Sequence, residues 1–163
     1  MRKRLLIPLD FSEHSLDAVH LAKGLALDLQ AELTLIHVLA PGGARRSVAP
    51  GRSRPPPSKL LGADAEQGEA LKRVRQSLLG ELHDVTLQLV SGECAAEAIV
   101  DQAERMHADF IVMSTGSHPG LAHRLAGSMA QTVIRHAPCP VLVVPPARPR
   151  PAPLNELVLE SEP

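Results

Sequence analysis

Arg4-Leu-Leu-Ile-Pro-Leu-Asp10-Phe-Ser-Glu13 opens the chain with a short apolar run that ends abruptly in an acidic, hydroxyl-bearing turn. The run from Arg4 to Leu9 predicts a buried strand, and the acid-x-x-Glu pattern of Asp10 and Glu13 predicts a helix N-terminus directly after it. Leu16, Val19, His20, Lys23 and Leu27 fall near helical spacing, so the helix is expected to continue through Ala-rich turns to about Leu29. Glu32-Leu-Thr-Leu-Ile-His-Val38 then has the β-branched and apolar character of a second buried strand.

The same alternation fills the rest of the chain. A helix is predicted from about Ala65 to Leu82, a strand over Val85 to Val90, and, after the Ser91-Gly92 break, an Ala-rich helix from about Ala95 to His107. Asp109-Phe-Ile-Val-Met113 reads as a fourth strand. Gly127-Ser128 opens a helix ending near His136, and Pro138-Cys-Pro-Val-Leu-Val-Val144 reads as a fifth strand with proline at its entrance, where a missing donor is tolerated. Nearly continuous apolar strands alternating with helices predict an α/β fold: a five-stranded parallel sheet covered on both faces by right-handed crossovers. In such sheets a ligand sits beyond the carboxyl ends of the strands, where their order reverses. For the order 3-2-1-4-5, the loops after strands one and four flank that point.

Composition sets the outer limits. A chain of 163 residues supports one domain with one core, expected over residues 1–146. Aromatic residues are 1% of the sequence, with two Phe and no Trp or Tyr, so the core must be aliphatic. Seventeen basic against eighteen acidic residues leave a net charge of −1, which gives no field to draw nucleic acid or an anionic membrane. Pro8 and Asp10 interrupt the first apolar run before an export helix can form, and no later stretch reaches the roughly 20 apolar residues of a bilayer span. A cytoplasmic location is expected. Cys94 and Cys139 lie outside any Cys-x-x-Cys spacing and predict neither a redox motif nor a metal site. Two segments depart from the pattern: a Pro-, Gly- and Arg-rich insertion at about 40–64 and a Pro-rich tail at 147–163, both expected to be disordered. The basic run from Arg45 to Lys59 reads either as a docking segment or as a solvated insertion.

Three blocks carry a family likeness: Ile7-Pro-Leu-Asp-Phe-Ser-Glu-His-Ser15, Ala108-Asp-Phe-Ile-Val-Met113, and Gly127-Ser128 with Val133-Ile-Arg-His-Ala-Pro-Cys-Pro-Val-Leu-Val-Val144. In order and spacing they resemble the universal stress protein family, from about Arg4 to Val144. The resemblance implies a Rossmann-like fold of the adenine nucleotide alpha hydrolase-like type with strand order 3-2-1-4-5. It also implies a homodimer formed through the last strand, Pro140 to Val144, and a role in stress tolerance. Some members bind ATP or AMP, with Mg²⁺ as an accompanying ion.

In nucleotide-binding members a Gly-x2-Gly-x9-Gly-Ser/Thr motif follows strand four. Backbone N–H groups there approach phosphate oxygens, and glycine leaves room for that approach. Without gaps the motif falls on Ser114, Ser117 and Gly127-Ser128, so the spacing is kept while two glycines are serines. A Cβ at those places narrows the pocket or opposes a positive φ; Gly116 and Gly120 stand nearby. By the same resemblance Pro8, Leu9 and Asp10 match the adenine side, Val38 and Met113 line the same cleft, and Gly127, Ser128 and Met129 begin the phosphate-binding helix.

Plainer readings stand beside these. Asp10 equally reads as the cap of the first helix with Glu13 closing a capping box, and Gly127-Ser128 as an ordinary helix start. His118, His123 and Arg124 read as solvated loop residues, His14 and His136 as exposed helix residues, and Cys139 as a small buried hydrophobe. There is no Gly-x4-Gly-Lys-Ser/Thr loop, no lysine from Ala108 onward, and no second carboxylate placed with Asp10 for Mg²⁺. The expectation is therefore a nucleotide-responsive stress regulator that is not an enzyme beyond slow ATP hydrolysis. The alternative is a dimeric interaction module that has lost the nucleotide.

Overall fold

The computed structural model of the protein describes residues 1–39, 58–115 and 128–145. The expected basic insertion up to residue 57, the tail at 147–163, and Gly116, Ser117 and Gly127 lie outside the described residues.

Nine elements alternate along the described chain: β1 (Arg4–Pro8), α1 (Glu13–Leu29), β2 (Glu32–Leu39), α2 (Ser58–Leu78), β3 (Val85–Ser91), α3 (Ala95–Arg105), β4 (Phe110–Ser114), α4 (Ser128–His136) and β5 (Val141–Val144). The strands form one sheet in the order β3-β2-β1-β4-β5. Every pairing is parallel, including β1 with β4 across the point where the order reverses. β1 therefore sits at the centre, and Leu5, Leu6 and Ile7 are fully buried because both of its faces are covered.

Alternation along the strands divides the interior in two. Leu5, Ile7 and Leu9 of β1 and its exit join Leu33, Leu35 and Val112 under Ala18, Val19, Ala22 and Ala26 of α1 and Leu71 and Leu79 of α2. Leu6, Ile36, Ile111 and Met113 point the other way, against Ala96, Ile99 and Ala103 of α3 and Ala130 and Val133 of α4. Small alanines on the helix faces let the helices lie close over a sheet built from Leu, Ile and Val.

Three readings are corrected. The inner stripe of α1 is Ser15-Ala18-Val19-Ala22-Ala26, while His20 is exposed and Leu27 is 51% exposed. Hydropathy favours the larger Leu, but over a closely packed sheet the Ala face permits the nearer approach. α2 begins at Ser58 rather than Ala65 and ends at Leu78 rather than Leu82, so the helix takes over part of the expected insertion. His14 is half-buried rather than exposed, and its Nδ1 is shielded from solvent without a hydrogen-bond partner among the described residues.

Two helix ends rest on residues in the left-handed region. Gln30 (φ 51°) follows α1, with the Ala31 N–H donating to the Ala26 carbonyl at 2.9 Å. His107 (φ 49°) follows α3, with the Ala108 N–H donating to Ala103 at 2.9 Å. Both bonds satisfy carbonyls that a helix end leaves orphaned. No helix of the described residues is long and apolar enough to cross a membrane.

Candidate functional site

At the carboxyl ends of β1, β2 and β4 the sheet opens into a cleft of about 510 Å³, counting the part open to solvent. Pro8, Leu9 and Asp10 line it from β1, Ile36, His37 and Val38 from β2, and Met113 and Ser114 from β4; Ser15, Ala95, Ile99 and Met129 of the helices complete the wall. Of the residues singled out from sequence, Pro8, Leu9, Asp10, Val38, Met113, Ser114 and Met129 thus come together. Ser128 is the first residue of α4.

The turn from β1 into α1 is built by local polar contacts. Ser12, not Asp10, is the N-cap: its Oγ accepts the Ser15 N–H at 3.2 Å, and its carbonyl accepts the Ser15 hydroxyl at 2.9 Å. The expected capping box from Asp10 to Glu13 is corrected accordingly, because the helix begins two residues later, at Glu13. Asp10 instead forms an Asx-type turn, its Oδ1 accepting the Ser12 N–H at 3.0 Å and the Ser12 hydroxyl as well. Partial burial pushes the Asp10 carboxyl up, but hydrogen bonds from Ser12, with the Ser15 hydroxyl, outweigh that and hold it below the ordinary aspartate value. The cleft edge therefore carries a negative charge at neutral pH.

Phe11 follows in the left-handed region at φ 61°, a conformation that costs a bulky residue roughly 1–2 kcal/mol. His37 faces it across the turn with ring centroids 4.7 Å apart. The His37 Nδ1 lies 2.7 Å from the Leu9 carbonyl oxygen. A carbonyl can only accept, so Nδ1 carries the proton and donates.

Ser114 stands at the end of β4, 9% exposed, where the nucleotide-binding motif has its first glycine. It is absent from the non-glycine residues with positive φ, so strand backbone accommodates its Cβ without strain. The remaining cost of that serine is space in the cleft.

Other sequence candidates divide. His136 is exposed at the end of α4, its Nδ1 on the Thr132 carbonyl at 2.9 Å. Cys139 packs against the α3/α4 core; burial pushes its thiol up from the usual value, and the nearby Asp109 adds to the rise. This is the setting of an inert thiol. His118, His123 and Arg124 lie outside the described residues. Among the described residues no cluster of three His, Cys, Asp or Glu is placed to hold a metal ion. Sequence reasoning missed His37, Ser15, Ile36, Ala95 and Ile99 as cleft residues. His37 sits beside Val38 in a strand and carries no motif of its own, so only register places it here.

Comparison with known proteins agrees with the fold. The profile of the universal stress protein family matches residues 1–145. A universal stress protein of Methanocaldococcus jannaschii is 36% identical over 148 residues, 87% of this chain and 81% of that protein. Among solved structures, a universal stress protein from Lactobacillus plantarum superposes with a TM-score of 0.70 at 28% identity, over 88% of this chain and 99% of that one. A universal stress protein in complex with cAMP shares the fold with a TM-score of 0.66 at 22% identity, over 90% of this chain and 98% of that one.

Proposed function

The chain belongs to the universal stress protein family, and from that premise we propose that its strand-end cleft binds ATP or AMP and that occupancy makes it a nucleotide-responsive stress regulator. The observation that carries the reading is the convergence of Asp10, Val38, Met113, Ser114 and Met129 on one cleft at the reversal of strand order. Asp10 offers an anionic acceptor for an adenine amine or a ribose hydroxyl, and Val38 offers backbone at the base. The start of α4 at Ser128 turns the positive end of a helix dipole toward the phosphates. A relative in fold that holds cAMP supports an adenine nucleotide as the class.

The chain is proposed to act by binding rather than catalysis, in the cytoplasm, as a homodimer. β5 is an edge of the sheet, paired with β4 on one side, and offers its other side to a second copy. Mg²⁺, where it accompanies ATP, is proposed to be held by the phosphates, since among the described residues Asp10 has no second carboxylate beside it in the cleft.

Ser114 favours one other reading. Its side chain occupies space that the motif leaves empty, which fits an interaction module without nucleotide. Thermal unfolding with and without millimolar ATP and Mg²⁺ separates the two. A ligand at 100 times its dissociation constant that binds only the folded state adds about 2.7 kcal/mol. A raised midpoint, lost in Gly127→Val, is expected; no shift with ATP, ADP or AMP leaves the interaction module.

A further inference from the structure

The loop that presents Asp10 is held from outside itself. Leu9 is fixed on both sides, its N–H donating to the Ile36 carbonyl at 2.9 Å and its carbonyl accepting His37 Nδ1–H at 2.7 Å. Two residues later Phe11 takes a left-handed backbone, a state that a bulky side chain keeps only where its surroundings over-determine it. The surroundings are the imidazole of the same His37, 4.7 Å from the Phe11 ring with the planes inclined at 41°. Asp10 lies between these two anchored residues, with Ser12 fastening Oδ1 from the helix side. One side chain on β2 therefore grips the turn both before and after the carboxylate.

We infer that His37 is a positioning residue for the nucleotide: by holding the Leu9 carbonyl and the Phe11 ring, it sets the β1–α1 turn in the conformation that presents Asp10 to the ligand. The inference rests on the proposed binding of adenine nucleotide and adds a residue that no motif marks. His37 does not need to touch the ligand for this role. Without its grip, Phe11 is free to leave the left-handed region, and Asp10 follows it away from the cleft edge.

The test uses the full chain and two isosteres that divide the imidazole. Asn places an amide N–H near the position of Nδ1, and Gln places one near Nε2. ATP and AMP affinities are measured by titration for wild type, His37→Asn, His37→Gln and His37→Leu, alongside the melting midpoint of each without ligand. Loss of one positioning hydrogen bond is expected to weaken binding by about tenfold in His37→Leu and His37→Gln, with His37→Asn within about threefold of wild type. If His37→Leu does not fold, the contrast between Asn and Gln decides alone. Equal affinity across all variants, or equal weakening in Asn and Gln, overturns the positioning role while nucleotide binding stands. Wild-type protein that binds neither ATP nor AMP overturns the functional proposal, and this inference with it. Imidazole nitrogen shifts in the unliganded protein supply a readout free of the ligand: in the neutral ring the proton is expected on Nδ1, and the opposite tautomer overturns the inference.

Discussion

The two ends of the sheet treat their carboxylates differently. At the amino ends of the strands, Asp109 receives Lys3 Nζ at 2.8 Å and the Arg4 N–H at 2.9 Å, and Asp84 is paired with Arg2. The backbone stitches the same end together: Glu32 N–H donates to Lys3, Asp109 N–H to Arg4, and Leu33 N–H to Asp84, all at 2.8–2.9 Å. At the carboxyl ends Asp10 is held only by neutral donors from its own turn, and among the described residues no lysine or arginine pairs with it. A charge matched by a cation is complete in the folded chain. One held by dipoles is oriented but keeps its attraction for a ligand's donors. The closed end serves the fold, and the open end carries the cleft proposed to bind nucleotide.

That division can be broken in four ways. The largest effect is expected in the interior that both ends share: Leu5→Ala and Ile36→Ala, both fully buried, should each lose about 2–5 kcal/mol in urea unfolding. Only Ile36, which lines the cleft, should also weaken nucleotide binding beyond the loss of folded protein. A matching affinity loss in Leu5→Ala breaks the division. Next, Asp10→Ala should weaken ATP binding by about tenfold, while Asp109→Ala leaves the affinity unchanged in the same titration.

Ser12→Ala removes the cap of α1 and one fastening of Asp10, so about 1 kcal/mol of stability should go, together with a lesser part of the affinity. The smallest effect is in acid. The Lys3 ammonium and the Arg4 N–H hold Asp109 below the ordinary aspartate value, and hydrogen bonds from Ser12 prevail over burial to do the same for Asp10. A carboxyl depressed on folding contributes stability above its unfolded value and loses it as pH falls through the folded one. The stability that these two carboxylates contribute should therefore be constant from neutrality to about pH 5 and be lost below about pH 4. Asp109→Asn should lessen that loss in the melting midpoint, and less so in high salt because the Lys3 pair is exposed.

Much of this was legible because strand and helix periods differ. The apolar runs of β1, β2 and β4 and the punctuation at Ser91-Gly92 gave the element order, and the family likeness gave the strand order. The buried side of α1 was not legible: its stripe is alanine, which weighs little in hydropathy beside the exposed Leu27. The ends of α1 and α3 use left-handed residues, Gln30 and His107, that are neither Gly nor Asn, yet the end of α1 at Leu29 was legible from the strand pattern that begins at Glu32. In the site, Asp10 was visible through its motif. His37 was not, because a histidine within a strand declares its role only when the neighbouring strand brings the Leu9 carbonyl to 2.7 Å.

The aliphatic interior has an optical consequence. A core of Leu, Ile, Val and Ala in a chain with two Phe and no Trp or Tyr leaves the protein nearly transparent in the near ultraviolet. A purine base retained through purification would dominate the absorption spectrum of the sample, so the polypeptide supplies a dark background against which the proposed ligand can be tested.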